Sequence, residues 1–188
     1  MSRPPRATPA GDGRGAPAAP PEVDVQVDDL TFWEGEAIAR PVTAELGATT
    51  ALLRRLEVAA GPGLASQLRT GEPLAVGAAV VTGPGALRVD LVVHAVVSSR
   101  EERVTRDAVR RATLSALQRA ADFGIAHLAL PPFGLGAGNL DIEDSARAML
   151  DAVRTHAART AAPRRITFVV ETEDERRTFA VLLPKGEA

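Results

Sequence analysis

Cysteine is absent from this 188-residue chain. With it go disulfides, thiolate zinc sites and a cysteine nucleophile. Lysine is nearly absent as well. Lys185 is the single copy and every other basic residue is arginine, so a lysine-dependent reaction would have to run from the C-terminal tail. Aromatic residues make up 3%, which leaves the core to Ala, Val, Leu and Ile. No stretch approaches the roughly 18–20 uncharged apolar residues of a membrane helix. The first 21 residues are rich in Pro, Ala, Gly and Arg and hold no apolar run, so a signal peptide is not expected. Together with the missing cysteines this points to a cytoplasmic protein. The net charge of −2 gives no global basic field for nucleic acid. No His or carboxylate cluster has metal-ligand spacing, so neither a metal nor a cofactor is expected.

What is present is 45% hydrophobic residues, enough to fill the core of one domain. Residues 1–22 are poor in large apolar side chains and rich in proline; they are expected to form a disordered tail, with the domain spanning 23–188. Val23, Val25 and Val27 alternate with Asp24 and Gln26, the period of a half-buried strand. Residues 36–42 suggest a second strand, which Pro41 would confine to an edge or end. Leu52, Leu53 and Leu56 predict a helix over 49–58 that Gly61-Pro62-Gly63 stops, with a short helical piece after it. Two β-branched runs, 76–82 and 89–97, flank Gly83-Pro84-Gly85 and read as neighbouring strands joined by a turn. A helix over 105–123 carries Ala108, Val109, Ala112, Ala116, Leu117 and Ala120 on one face, and Gly124 closes it. A buried strand over 125–130, a helix from Asp141 to about Ala158, a strand over 165–170 and a helix over 173–183 complete the chain. Alternating strands and helices predict an α/β fold, an open sheet with helices on both faces. Ligands of such sheets sit beyond the carboxyl ends of the strands.

The segment from Ile125 to Asn139 runs from strand into a glycine-rich loop, Gly134-Leu135-Gly136-Ala137-Gly138-Asn139, and on to a helix that Asp141 caps, with Asp144 completing a short-armed capping box. Glycines let consecutive amides turn inward without a Cβ in the way. Such amides form an anion nest, and the helix start adds partial positive charge; a diphosphate is the natural guest. Asp141 and Asp144 oppose that field. The G-x-G-x-G pattern is neither the dinucleotide fingerprint nor the P-loop. Taken alone, the loop reads equally well as a tight connection.

Other residues with chemical potential have plainer roles at this level. His94, among valines, reads as a buried, hydrogen-bonded histidine, and so does His127. His156 lies on a helix flank and is expected to be solvated. Neither Ser nor carboxylate partners flank His94 for nucleophilic catalysis, so no catalytic residue is assigned. Asp28-Asp29 reads as a turn-forming capping pair or as ligand-facing carboxylates. Residues 100–103 read as a solvated loop, and Trp33 as a loop anchor.

Several segments together resemble a macro domain, the ADP-ribose-binding module. Val25-Gln26-Val27-Asp28-Asp29-Leu30-Thr31 is similar to the family's V-x-x-G-D-I-T, and Glu36-Ala37-Ile38-Ala39 to its D-A-I-V. Ala59-Ala60-Gly61-Pro62 resembles its A-G-P. Residues 77–82 with Val92-Val93-His94-Ala95-Val96 resemble its G-x-A-x-x-T and V-I-H-A-V. Residues 128–138 resemble its I-A-F-P-A-I-G-T-G-V. The order and spacing match over about 23–170. The resemblance implies a three-layer α/β/α fold with a mixed central sheet and a cleft for ADP-ribose or an ADP-ribosylated protein. It implies that Asp29, followed by Leu30, hydrogen-bonds the adenine amino group. It implies that the backbone from Phe133 and Gly134 through Leu135, Gly136, Ala137 and Gly138 to Asn139 cradles the diphosphate.

The chain also departs from the pattern. The family's N-A-A-N is here Arg40-Pro41-Val42-Thr43, which removes the asparagine that in many catalytic members positions the distal ribose or a water. The glycine-rich loop that follows keeps one glycine, Gly47. The loop lysine of the lysine-dependent hydrolases is missing, and Gly138 stands where an aromatic often follows. Arg40 and Thr43 become possible ligand contacts, Arg40 either reaching a phosphate or plugging the cleft through a salt bridge. Three readings result: a divergent ADP-ribose or nucleotide-diphosphate binder without hydrolysis; a de-ADP-ribosylating hydrolase whose water is positioned by substrate and backbone; and a degenerate fold kept as an interaction module.

Overall fold

A computed structural model of the chain describes residues 19–69, 72–136 and 139–183. Residues 1–18 of the expected tail, Ala137 and Gly138 of the glycine-rich loop, and Lys185 lie outside the described residues. The elements run β1 (Glu22–Val27), a 3-10 turn (Leu30–Phe32), β2 (Gly35–Thr43), α1 (Ala51–Gln67), β3 (Ala79–Thr82), β4 (Val89–Ser98), α2 (Arg106–Asp122), β5 (His127–Leu130), α3 (Ile142–Ala157), β6 (Arg165–Val170) and α4 (Glu173–Leu182). Six strands form one mixed sheet in the order β1-β6-β5-β2-β4-β3. All neighbours are parallel except the β3–β4 hairpin.

Strand alternation divides the core between the two faces of the sheet. Ala37, Ala39, Val93, Ala95, Leu128, Leu130 and Phe168 pack against α2, α3 and Phe179 of α4. Ile38, Val92, Ala129 and Val169 turn the other way, onto Leu56 of α1 and Leu30 of the 3-10 turn. The chain is thus an α/β/α sandwich. Scarcity of aromatics is met by close approach: α2 presents fully buried Ala108, Ala112, Ala116 and Ala120 to its neighbours. The few aromatics concentrate, with Phe168 and Phe179 ring centroids 4.7 Å apart.

Helix starts follow their capping side chains. Thr50, Thr105, Asp141 and Thr172 each accept from the backbone N–H three residues on. At α4 the box is reciprocal, because Glu175 reaches back to the Thr172 N–H. At α3 it is not: Asp141 accepts from the Asp144 N–H at 2.8 Å, while the Asp144 carboxylate pairs with Arg106 at 2.5 Å. The aspartate arm is one methylene too short to return, and an arginine takes it instead. The expected stop at Gly61-Pro62 is a kink, with Gly61 out of helical geometry and a further turn and a half beyond it.

Two further expectations are overturned. Pro41 neither ends β2 nor places it at an edge, for β2 lies between β5 and β4. Pairing with β5 stops at Ile38, whereas pairing with β4 continues past Pro41. One side of β2 therefore carries no ladder at Pro41, and the missing N–H is tolerated. His156 is not solvated but 2% exposed. The connection after α3 folds back over it, and its Nε2 lies 2.7 Å from the Ala162 carbonyl.

Candidate functional site

β2 and β5 part company after Ile38. The loops that follow them, 44–50 into α1 and 131–141 into α3, face each other across the resulting gap at the carboxyl ends of the strands. The loop after β5 is shaped by packing as much as by any ligand. Gly134 has φ 79°, and a Cβ there would lie 2.6 Å from a Val109 methyl and 2.8 Å from one of Val104. The loop closes on itself: the Leu140 N–H donates to the Gly134 carbonyl at 3.1 Å and the Asn139 N–H to the Gly136 carbonyl at 3.1 Å. Among the described residues no acceptor meets the amide N–H of Leu135 or Gly136. These two donors, just ahead of the α3 N-terminus, are what the loop offers an anion.

The loop after β2 is clasped from below. The Thr43 N–H donates to the Gly47 carbonyl at 3.0 Å, the Gly47 N–H to Thr43 Oγ1 at 3.2 Å, and the Leu46 N–H to the Thr43 carbonyl at 2.8 Å. Arg40 lies under this clasp, fully buried. Its Nε–H donates to His94 Nδ1 at 2.8 Å, one terminal nitrogen to Glu57 of α1 at 2.5 Å and the other to the Leu46 carbonyl at 3.2 Å. Arg40 is thus salt-bridged within the core and lines neither cavity of the gap, so it neither reaches toward a phosphate nor fills the cleft. His94 Nε2 pairs with Thr82 Oγ1 at 2.8 Å. With Nδ1 accepting from a guanidinium, Nε2 carries the proton and donates. Burial, and then the Arg40 charge, push the His94 pKa down to about 3, so the ring is neutral.

The gap is divided in two. At one end a cavity of about 60 Å³ has walls of Leu52, Leu53, Pro131, Pro132, Leu135 and Val169, with Thr50, Glu171 and Glu175 also lining it. At the other a chamber of about 330 Å³ is lined by Thr43, Ala48, Thr49, Ser98, Ser99, Arg103, Val104 and Asn139. Between them the loops nearly touch: the Thr49 carbonyl lies 3.7 Å from where a Gly136 Cβ would sit. Small-molecule sites run to about 300–1,000 Å³. The larger chamber reaches the bottom of that range and the smaller does not. A larger hollow of about 580 Å³ lies beside Ala44, Pro73–Val76 and Ser99–Glu102. Four of its rim charges are paired with one another, Arg100 with Glu45 and Arg111 with Glu102, and Glu101 stands beside them.

The predicted residues divide accordingly. Leu135 lines the small cavity, Thr43 and Asn139 the large chamber, and Gly136 stands between. The side chains of Leu30 and Phe133 are core residues, 1% and 0% exposed, and the Phe133 backbone is engaged as well, its N–H donating to Met149 Sδ at 3.1 Å and its carbonyl accepting from Ser145 Oγ at 2.7 Å. Asp29 caps the 3-10 turn, accepting from the Thr31 N–H at 2.9 Å, and its second oxygen lies 3.9 Å from Arg55. Arg55 also pairs with Glu171 at 3.3 Å, so a chain of charges joins Asp29 to the rim of the small cavity. Sequence reasoning missed Arg55, Glu171, Thr49, Ser98, Ser99 and Arg103. Only Thr49 falls in a motif-like stretch, the loop that keeps Gly47, and Arg103 sits in a run that reads as solvent-facing.

The Macro domain family model matches residues 49–149. The chain belongs to the Macro domain family. The matched region begins beyond Arg40–Thr43, where this macro domain departs from the family pattern. An uncharacterized protein of Mycobacterium tuberculosis is 30% identical over 166 residues, covering 88% of this chain and 46% of that protein. The macro domain thus spans about half the length of the first curated relatives it matches. A protein of an Enterobacter species named O-acetyl-ADP-ribose deacetylase is 29% identical over 174 residues, covering 87% of this chain and 94% of that one. Among solved structures, the Trypanosoma brucei macrodomain in complex with ADP-ribose superposes with a TM-score of 0.77 at 18% identity, over 87% of this chain and 69% of that one. The Oceanobacillus iheyensis macrodomain with ADP gives 0.75 at 16% identity, over 84% and 87%. Both likenesses concern the fold. Among the described residues no helix is long and apolar enough to cross a membrane.

Proposed function

We propose that this macro domain binds ADP-ribose, free or carried on a protein, or a related nucleoside diphosphate, and does not hydrolyse it. The carrying observation is the pair of unengaged amides at Leu135 and Gly136, ahead of α3 and facing α1 across the gap between β2 and β5. The diphosphate would span that point, the base would enter the small cavity beside Asp29 and Arg55, and the distal ribose would occupy the larger chamber. For this the narrow passage between Thr49 and Gly136 must widen. Against hydrolysis stand Arg40, withdrawn into the core where the family places an asparagine, and Thr43, whose hydroxyl is tied to the Gly47 N–H.

The relative named as a deacetylase supports a second reading, an esterase or de-ADP-ribosylating hydrolase whose water is held by substrate phosphate and backbone. The narrowness of the cleft supports a third, an interaction module without a ligand. One titration separates them. ADP-ribose at a hundredfold excess over its dissociation constant stabilises a folded receptor by about 2.7 kcal/mol, read as a rise in Tm. A Gly136→Val change, placing a side chain beside Asn139 and the Thr49 carbonyl, abolishes that rise; Asp29→Ala reduces it. No rise at millimolar ADP-ribose would sink the binding reading, and release of ADP-ribose or acetate from the corresponding conjugate would establish the second.

A further inference from the structure

The hollow of about 580 Å³ lies outside the gap between the two loops, yet it adjoins the larger chamber. Ser99 lines both. Thr43 and Ser98, the last residues of β2 and β4, line the chamber, while Ala44, Glu45 and Arg100, just beyond them, line the hollow. The two spaces therefore stand side by side where β2 and β4 end. One wall of the hollow is the segment Pro73–Val76. It is tied to its neighbours by the Leu74 N–H, which donates to the Ala44 carbonyl at 2.8 Å, and by the Gly77 N–H, which donates to the Val96 carbonyl at 2.8 Å. Between those ties the N–H groups of Ala75 and Val76 and the carbonyls of Pro73 and Leu74 meet no partner among the described residues. The rest of the rim is charged. Arg100 pairs with Glu45 at 3.3 Å and Arg111 with Glu102 at 2.8 Å. Glu101 is left over, its N–H held by the Ser99 hydroxyl at 3.2 Å, so the unspent charge of the hollow is negative.

Unpaired main-chain donors and acceptors in one short run are what a peptide uses when it lies alongside another chain: the backbone supplies affinity, and neighbouring pockets and charges supply selectivity. Here the pocket is apolar, with Ala44, Leu74 and Val76, and the charge is that of Glu101. ADP-ribose is joined to a protein through its distal ribose. With that ribose in the chamber, the protein chain that carries it leaves past Ser99, and the hollow is the space it meets. We propose that the hollow docks the peptide segment flanking the modified residue of an ADP-ribosylated protein, laid along Pro73–Val76, with a basic side chain directed at Glu101. The inference rests on the reading of the cleft as an ADP-ribose site and names the protein part of the ligand.

The test is calorimetric titration of the full chain with three probes: ADP-ribose, a peptide carrying ADP-ribose on a central serine through a non-hydrolysable linkage and flanked by leucine and arginine, and the same conjugate with aspartate in place of arginine. The basic conjugate binds about tenfold more tightly than ADP-ribose, equivalent to about 1.4 kcal/mol. The acidic conjugate does not share the gain, and raised salt narrows the difference between the two. Ala75→Trp, which fills the hollow from an exposed position, removes the gain while leaving the ADP-ribose dissociation constant within about twofold. Glu101→Arg, also at an exposed position, leaves ADP-ribose binding and the Tm unchanged and transfers the preference to the acidic conjugate. Conjugates that bind no more tightly than ADP-ribose, or a gain that survives either variant unchanged, overturn the inference and leave the binding reading standing. Absence of binding by all three probes overturns both.

Discussion

Replacing Arg40 with methionine tests the buried network on which the first loop rests. The change keeps a long side chain and deletes three hydrogen bonds, to His94 Nδ1, Glu57 and the Leu46 carbonyl. They are not equivalent. Glu57 is 30% exposed and regains water, so its share is small. His94 is fully buried, and its Nδ1 is left without a donor, at a cost of about 1–3 kcal/mol. The carbonyl of Leu46, a residue itself held at φ 65°, loses its partner as well. Relief of the arginine's own desolvation offsets part of this. We expect a net loss of about 3 kcal/mol in urea unfolding at pH 7.5 with an unchanged m-value, and a Tm lower by roughly 6–12 °C for a domain of this size. A loss under about 0.5 kcal/mol would refute the claim that the network is tightly coupled.

The same variant carries a signature in pH. His94 has its pKa lowered to about 3 by burial and by Arg40, against roughly 6.5 in the unfolded chain. Between those values the unfolded state holds a proton that the folded state does not. Stability is therefore complete above about pH 6.5 and is lost as pH falls toward 3, by about 1.4 kcal/mol per unit from this one group. His127, also lowered by burial and by Arg165, contributes in the same direction. From pH 6.5 to 5 the His94 share is about 2 kcal/mol. In Arg40→Met the guanidinium no longer opposes the proton on His94, the folded pKa rises part of the way, and the acid loss of stability levels off at a higher pH, so the total loss is smaller. A loss that continues to the same low pH in the variant would show that Arg40 does not oppose the protonation.

Gly134→Ala sets a methyl against Val104 and Val109 at a positive φ and lowers the unfolding free energy by about 2–3 kcal/mol; an unchanged urea midpoint would show that the loop yields freely. Leu117→Ala, at a side chain fully buried between α2 and its neighbours, costs about 2–5 kcal/mol by the same measurement. Thr172→Ala breaks the reciprocal box at α4 and costs about 1 kcal/mol, with faster amide exchange confined to the first turn of that helix.

Some of this was legible along the chain because it is decided locally. The apolar run of β5, the glycines after it and Asp141 specify strand, loop and capped helix without help from elsewhere, and the spacing of the macro-like segments then fixes the α/β/α fold. What was not legible depends on partners distant in sequence. Pro41 sits in a central strand because β5 is too short to reach it. His156 is buried because residues after α3 fold back over it. Arg40 shows the principle most sharply: the residue that takes the asparagine's place also stiffens the wall of the cleft. It holds the Leu46 carbonyl, Thr43 clasps Gly47, and Thr49 is thereby set against Gly136. Across from it the Asn139 side chain donates to the Leu135 carbonyl at 3.4 Å, and among the described residues the Leu135 and Gly136 amides meet no acceptor. A diphosphate entering between the loops would find its donors on the glycine-rich side, at the Leu135 and Gly136 amides just ahead of α3.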